Sequence, residues 1–204
     1  MKTIILSLAL MPNIDYLKSI YSSEKVIIEK QETYKKQSFR NRYLIAGPNG
    51  IQTLIIPKKK DNHHKCKTFD VEISYDTDWQ TLHWKSIETA YNSSAFFLYY
   101  KDDFKKIFSK HYKYLWELNL DFLMLILTSM GIKKEIIFTE KFVKIYDNAL
   151  DLRELIEPKK SNIFQTYPVY YQVFSEKYPF KNNLSSMDLL FNLGPDCQNY
   201  LSKI

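Results

Sequence analysis

Only four glycines serve the 204-residue chain, at Gly47, Gly50, Gly131 and Gly194, and each is expected at a turn. No glycine-rich phosphate loop can be assembled from them, which excludes the Walker loop and the dinucleotide-binding fingerprint alike. A Gly-x-Ser-x-Gly nucleophile elbow is missing as well. Cysteine is nearly as scarce. Cys66 and Cys197 stand far apart and form neither a disulfide framework nor a zinc spacing, which suits reduced thiols in a cytoplasmic protein. His63-His64-Lys65-Cys66 gathers three potential ligands in one loop, but no matching pair stands elsewhere, so no metal site and no cofactor is expected. Long apolar runs are absent too, because Phe122 to Leu127 falls far short of the roughly 20 residues a membrane span needs. The opening Met1 to Leu10 imitates a secretory signal, with one lysine before an apolar run. It meets Pro12, Asn13 and Asp15 without an Ala-x-Ala cleavage site, and we read it as a buried first strand. No integral membrane segment is expected.

Aromatic residues are abundant by contrast, at 16% with 16 tyrosines. Such rings carry a hydroxyl that wants water or a partner when buried. Charge is uneven. Between Lys30 and Lys67, ten Lys or Arg face only Glu32 and Asp61, whereas the whole chain carries +6. Any field that attracts anions should therefore come from this segment.

The pattern predicts an α/β fold in one domain spanning residues 1–204, with a mixed, partly parallel sheet covered by helices, a β-hairpin and a helical middle. Lys2 to Ala9 reads as a strand, Ile14 to Tyr21 as a helix and Lys25 to Glu29 as a second strand, an order that suggests a parallel crossover. Tyr43 to Ile45 and Ile51 to Ile56 flank Gly47-Pro48-Asn49-Gly50, where Asn-Gly suits a tight hairpin turn. After a basic loop from Lys58 to Lys67 we expect a strand from Phe69 to Ser74. Helices follow over Trp79 to Tyr91, capped by Asp76 or Asp78, and over Ala95 to Ser109 and Leu115 to Met130. Glu135 to Phe138 reads as a strand, Leu150 to Leu155 as a short helix, Val169 to Phe174 as a strand, and Ser186 to Leu193 as a helix closed by Gly194-Pro195.

Two constellations could carry chemistry. In Gln37-Ser38-Phe39-Arg40-Asn41-Arg42, the two arginines share one side of an extended chain, and a guanidinium fork matches phosphate. Lys58 and its lysine neighbours reinforce that field, so Arg40, Asn41, Arg42 and Lys58 are candidate ligand-binding residues. On the helix from Trp79, His83 falls within an apolar stripe and faces inward, where it can serve as a general base or sit bonded in the core. Tyr91 closes that helix with a polar cluster. Gln172 and Asp188 each set a polar group among apolar ones. Asp188 is a candidate catalytic carboxylate, or else a cap or a partner for an arginine. Tyr91 and Gln172 are candidate binders of hydroxyls.

Together these blocks resemble the WbqC-like protein family. The matching pieces are Met11-Pro12-Asn13-Ile14-Asp15-Tyr16, Lys36-Gln37-Ser38-Phe39-Arg40-Asn41-Arg42, and Ser74-Tyr75-Asp76-Thr77-Asp78-Trp79 with Leu82-His83-Trp84. Ala90 to Phe97, Asp151-Leu152-Arg153 with Pro158-Lys159-Lys160, and the late blocks around Gln172 and Asp188 complete the set. Leu10 stands where the family usually has an aromatic, and Asn13 and Asp15 also depart from its commoner choices. The resemblance implies an association with bacterial surface-polysaccharide (O-antigen) biosynthesis without attaching a reaction.

The expectation is a transferase that modifies a nucleotide- or lipid-linked sugar. Its partner would be a phosphate-bearing small molecule such as a nucleotide sugar. The alternatives are a non-catalytic scaffold, or a module that uses the same basic segment to bind nucleic acid or another polyanion. The modest net charge and the lack of an RNA-binding signature argue against nucleic acid.

Overall fold

The computed structural model describes residues 3–60, 66–160 and 162–204. The first unit is β1 (Thr3–Ser7), α1 (Ile14–Ser22) and β2 (Lys25–Glu29), with the two strands parallel and Thr3 opposite Lys25. Ile4, Ile5 and Leu6 are all buried, the near-continuous apolar run of a strand covered on both faces. The Asn13 side chain caps α1 by accepting from the Tyr16 amide, one of the donors a helix start leaves unpaired.

β3 (Arg42–Gly47) and β4 (Gly50–Ile55) pair antiparallel as expected, but they form a separate two-stranded sheet. α2 (Trp79–Tyr91) is capped by Asp78 and is followed by α3 (Phe97–Ser109) and α4 (Leu115–Ser129). The short strands β5 (Ile136–Phe138) and β6 (Leu150–Asp151) complete a four-stranded parallel sheet in the order β5-β2-β1-β6. α5 (Ser186–Leu193) and α6 (Cys197–Ser202) close the chain, with α6 lying against α1. The fold is thus mixed α/β with an all-parallel main sheet. No helix among the described residues is long and apolar enough to cross a membrane.

Three expected elements differ. The Phe69–Ser74 strand is a short 3-10 turn at Thr68–Asp70 followed by extended chain. That chain divides its hydrogen bonds between Pro57 and Lys59 on one side and Lys113 and Leu115 on the other, so it joins no ladder. Leu150 begins a strand instead of a helix, because the free edge of β1 accepts it and the Ile5 carbonyl takes the Leu152 amide at 2.9 Å. Val169 to Phe174 begins by alternating outward and inward as a strand would, yet no strand pairs with it among the described residues. The Gln172 side chain replaces one, donating to the Lys181 carbonyl at 2.8 Å and accepting from the Lys181 amide at 2.9 Å.

Gly194 ends α5 at φ +53°, and a Cβ there would meet the Phe96 ring at 2.5 Å. Gly50, at φ +102° in the hairpin, has open space around it. Gly50→Ala should therefore cost only backbone strain, about 1–2 kcal/mol. Gly194→Ala adds a collision with a ring anchored by the Phe96 amide bond to Phe191 and should cost ~3 kcal/mol or more in a urea titration. Equal losses in the two variants would contradict this assignment.

Candidate functional site

All four strands of the main sheet point the same way, so Ser7, Glu29, Phe138 and Asp151 end at one edge. From β1 the chain builds outward to β2 and β5, then returns to place β6 on the other side of β1. Ligands of open α/β sheets bind outside the carboxyl ends of the strands where the order reverses in this way. A cleft of about 590 Å³ opens at this edge, lined by residues that include Glu32, Tyr34, Arg40, Lys67, Lys144 and Arg153. A small hollow of about 10 Å³ continues it under β1, sharing Arg40 and Arg153 with it and touching Ser7 and Tyr16.

The cleft wall is built from two buried arginine networks. Arg40 is 4% exposed and forks onto Glu32, with Nε to Oε1 at 2.8 Å and Nη2 to Oε2 at 2.6 Å. The Ser7 hydroxyl sits between them, accepting from Arg40 at 2.7 Å and donating to Glu32 at 2.8 Å. Arg153 forks likewise onto Asp151, at 2.9 and 2.5 Å. Its remaining hydrogens reach Glu29 at 3.3 Å and the carbonyls of Val143 and Lys144 at 2.9 and 3.1 Å. Burial alone would raise the Asp151 carboxyl, but the bonds from Arg153 hold it below the usual carboxylate range. Tyr16 is buried beside Arg40 and Glu32; burial, and then the Glu32 charge, push its hydroxyl pKa well up. That hydroxyl has no hydrogen-bond partner among the described residues.

One predicted basic residue meets a ring of the cleft wall. The Lys58 ammonium lies 5.6 Å from the centre of Tyr34. Burial raises the Tyr34 hydroxyl pKa, while the charges of Arg42 and Arg40 pull it back. Of these, Arg40 alone lines the cleft, and it is already paired; Lys58 reaches the wall only through the Tyr34 ring, and Arg42 begins β3 outside the lining. Asn41 turns the other way and donates to the Ile56 carbonyl at 2.9 Å, which ties β4 to the Arg40 turn.

The other predicted residues lie away from this edge. Asp188 is fully buried and accepts from Tyr91 at 3.1 Å, Tyr170 at 2.5 Å and Gln172 at 2.7 Å. Burial raises its pKa against those three donors. Tyr91, Gln172 and Asp188 thus form one interior cluster that holds the irregular segment around Gln172 to α2 and α5. His83 packs among Tyr43, Trp79 and Phe108. Its Nε2 faces the Ile55 carbonyl at 3.2 Å and its Nδ1 the Tyr43 hydroxyl at 3.1 Å. A carbonyl can only accept, so Nε2 carries the proton and Nδ1 accepts from Tyr43. Neither His83 nor Asp188 lines the cleft.

Ser7, Glu32, Tyr34, Lys67 and Lys144 were not singled out in the sequence. Glu32 and Lys67 left a trace, as one of two acids and one of ten cations in the basic stretch. Asp151 and Arg153 were visible only within the Asp151-Leu152-Arg153 block. Among the described residues no three His, Cys, Asp or Glu side chains gather as a metal set; His63 and His64 lie outside those residues.

The model of the WbqC-like protein family matches residues 9–159. The chain belongs to that family. The matched region contains every residue lining the cleft, whereas Gln172 and Asp188 follow it. An uncharacterized protein of Mycobacterium tuberculosis, Rv1507c, is similar, at 23% identity over 91% of each chain. No solved structure matches.

Two outcomes follow from this geometry. Glu32→Gln would strip the carboxylate from a buried guanidinium, and urea unfolding should show a loss of about 3–5 kcal/mol; a variant as stable as the parent would mean that the pair is solvated. Burial lowers the His83 pKa to about 4, below its unfolded value near 6.5. The unfolded chain therefore takes the proton first as the pH falls. His83's contribution should be intact above about pH 6.5 and decline by up to about 3 kcal/mol as the pH falls to 4. Subtracting the unfolding profile of His83→Gln from that of the parent isolates it from Asp188, whose raised pKa acts in the opposite direction. A flat difference would show an imidazole that titrates alike in the folded and unfolded chain.

Proposed function

We propose that this WbqC-like protein is a transferase that takes a phosphate-bearing small molecule, such as a nucleotide sugar, into the cleft at the carboxyl edge of its parallel sheet. The observation that carries this reading is a cleft at the sheet's reversal point whose lining holds Lys35, Lys67 and Lys144 beside two paired arginines, with the Lys58 ammonium over the Tyr34 ring of its wall. Five cationic residues line that cleft against three carboxylates, so its field favours an anion. Arg40 and Arg153 are committed to Glu32 and Asp151. The ligand's phosphate would therefore fall to Arg42, Lys58 and Lys67, with the Tyr34 ring offering a face for a planar base. Surface-polysaccharide assembly, the setting implied by the family resemblance, uses donors of this chemistry.

A volume of about 590 Å³ is in the range of small-molecule sites, which favours this reading over a scaffold without a pocket. His83 and Asp188 hold the framework in this account and contact no ligand.

Thermal-shift and calorimetric titration with UDP-glucose and GDP-mannose test the proposal, because a ligand that binds only the native state must stabilise it. A saturating ligand at about 100 times its Kd should add ~2.7 kcal/mol. Arg42→Ala and Lys58→Ala should each weaken binding about tenfold or more, the loss of one charge-assisted bond. His83→Gln should leave binding unchanged. No stabilisation by either nucleotide sugar, or stabilisation indifferent to Arg42 and Lys58, would overturn it.

A further inference from the structure

The cleft does not end under β1. The small hollow beneath Ser7 and Tyr16 shares Phe39 and Ile156 with a second pocket of about 100 Å³ beside the start of α1. The hollow, about one water in size, thus lies between the basic cleft, with which it shares Arg40 and Arg153, and a pocket of different character.

Asn13, Asp15, Asn162, Asn182 and Asn183 line that chamber, with Phe39 at the side towards the cleft. Asp15 is 2% exposed. It accepts from the Tyr167 hydroxyl on Oδ1, and from the Ile163 amide at 3.0 Å and the Asn183 amide at 2.8 Å on Oδ2. It has no cationic partner among the described residues. A carboxylate offers about four acceptor positions, so one remains on Oδ1. Asn13 is 5% exposed, and its Oδ1 is spent capping α1. Its Nδ2 donates to nothing among the described residues. Asn182 is exposed at the rim and its side chain makes no bond among them either. Donors and acceptors thus face one small chamber beside an aromatic ring, without the cationic excess of the cleft.

We propose that this chamber is a second binding site, one that takes a neutral, hydroxyl-rich group of the size of a sugar ring. Alternating donors and acceptors suit hydroxyls, each of which both gives and receives a hydrogen bond. The Phe39 ring suits the apolar face of a pyranose. The position suits the second substrate of a transfer, since the pocket lies on the same side of the fold as the basic cleft, separated from it by the small hollow at Arg40 and Arg153. This assignment of the second substrate rests on the transferase reading; the binding claim itself does not.

Saturation-transfer NMR with free methyl hexosides (glucoside, galactoside and mannoside), recorded with and without UDP, tests the site. Asn182→Trp and Lys160→Trp each place a bulky ring at its exposed rim from opposite segments, so neither variant disturbs the core. At least one hexoside should bind the parent protein, and its affinity should fall about tenfold or more in both variants, the equivalent of about 1.4 kcal/mol. UDP affinity should be unchanged in either variant. If no hexoside binds under either condition, or if the variants bind it as the parent does, the site is overturned. If UDP itself fails to bind while a hexoside binds and is blocked, the chamber stands and the phosphate reading falls.

Discussion

A guanidinium buried in a protein must find an acceptor for each hydrogen it turns inward and a negative charge to balance it. Arg40 imposes that demand at the centre of this fold. It is met by Glu32 from the segment after β2 and by Ser7 at the end of β1, so three separate pieces of chain are fixed at one point. Asn119 of α4 adds a fourth by donating to the Arg40 carbonyl at 2.7 Å. The pair carries little free charge outward. Its effect is to set where the end of β1, the turn after β2 and the helical middle meet, and that meeting defines the cleft.

Arg153 repeats the arrangement one strand over, with a different result. Its two bonds to the carbonyls of Val143 and Lys144, and its approach to the Phe142 and Tyr146 rings at 5.4 and 5.3 Å, hold a segment without regular structure against the sheet edge. Backbone carbonyls outside helices and strands need donors, and a guanidinium can serve several at once. One wall of the cleft thus depends on a single side chain. The cleft's position follows from strand order, and its shape follows from two arginines.

Much of the fold was legible where periodicity acts alone. α2 and α5 run over the residues that their apolar spacing and stop signals indicate, and β1 to β2 form the expected parallel pair. Legibility failed where a segment's state depends on a neighbour that the local sequence cannot name. Leu150 and Asp151 became a strand because β1 had a free edge, and Val169 to Phe174 did not because no partner strand lies beside it among the described residues. The site divided in the same way. A basic stretch with paired arginines was visible, and it does reach the cleft. The pairing of Arg40 with an acid eight residues earlier was not visible, since net charge over a segment says nothing about which charges cancel. Inward-facing polar residues misled for a related reason. Burial of His83 and Asp188 could be inferred from helical phase, but whether their bonds were already satisfied could not.

The division between arginines and lysines has a consequence for how this edge would hold an anion. Arginine's planar fork is at its best locked against a carboxylate, and Arg40 and Arg153 are so locked. Lysine is a compact charge on a flexible stem, and Lys35, Lys67 and Lys144 line the cleft. Lys67 spends one of its three hydrogens on the Gln31 carbonyl, at 2.6 Å, and keeps the others. A phosphate entering here would meet charges that adjust to it, over a base whose geometry cannot shift without breaking two buried ion pairs. Fixed arginine pairs beside flexible lysines would suit a phosphate shared by many ligands, and would leave finer selection to groups beyond the charged lining.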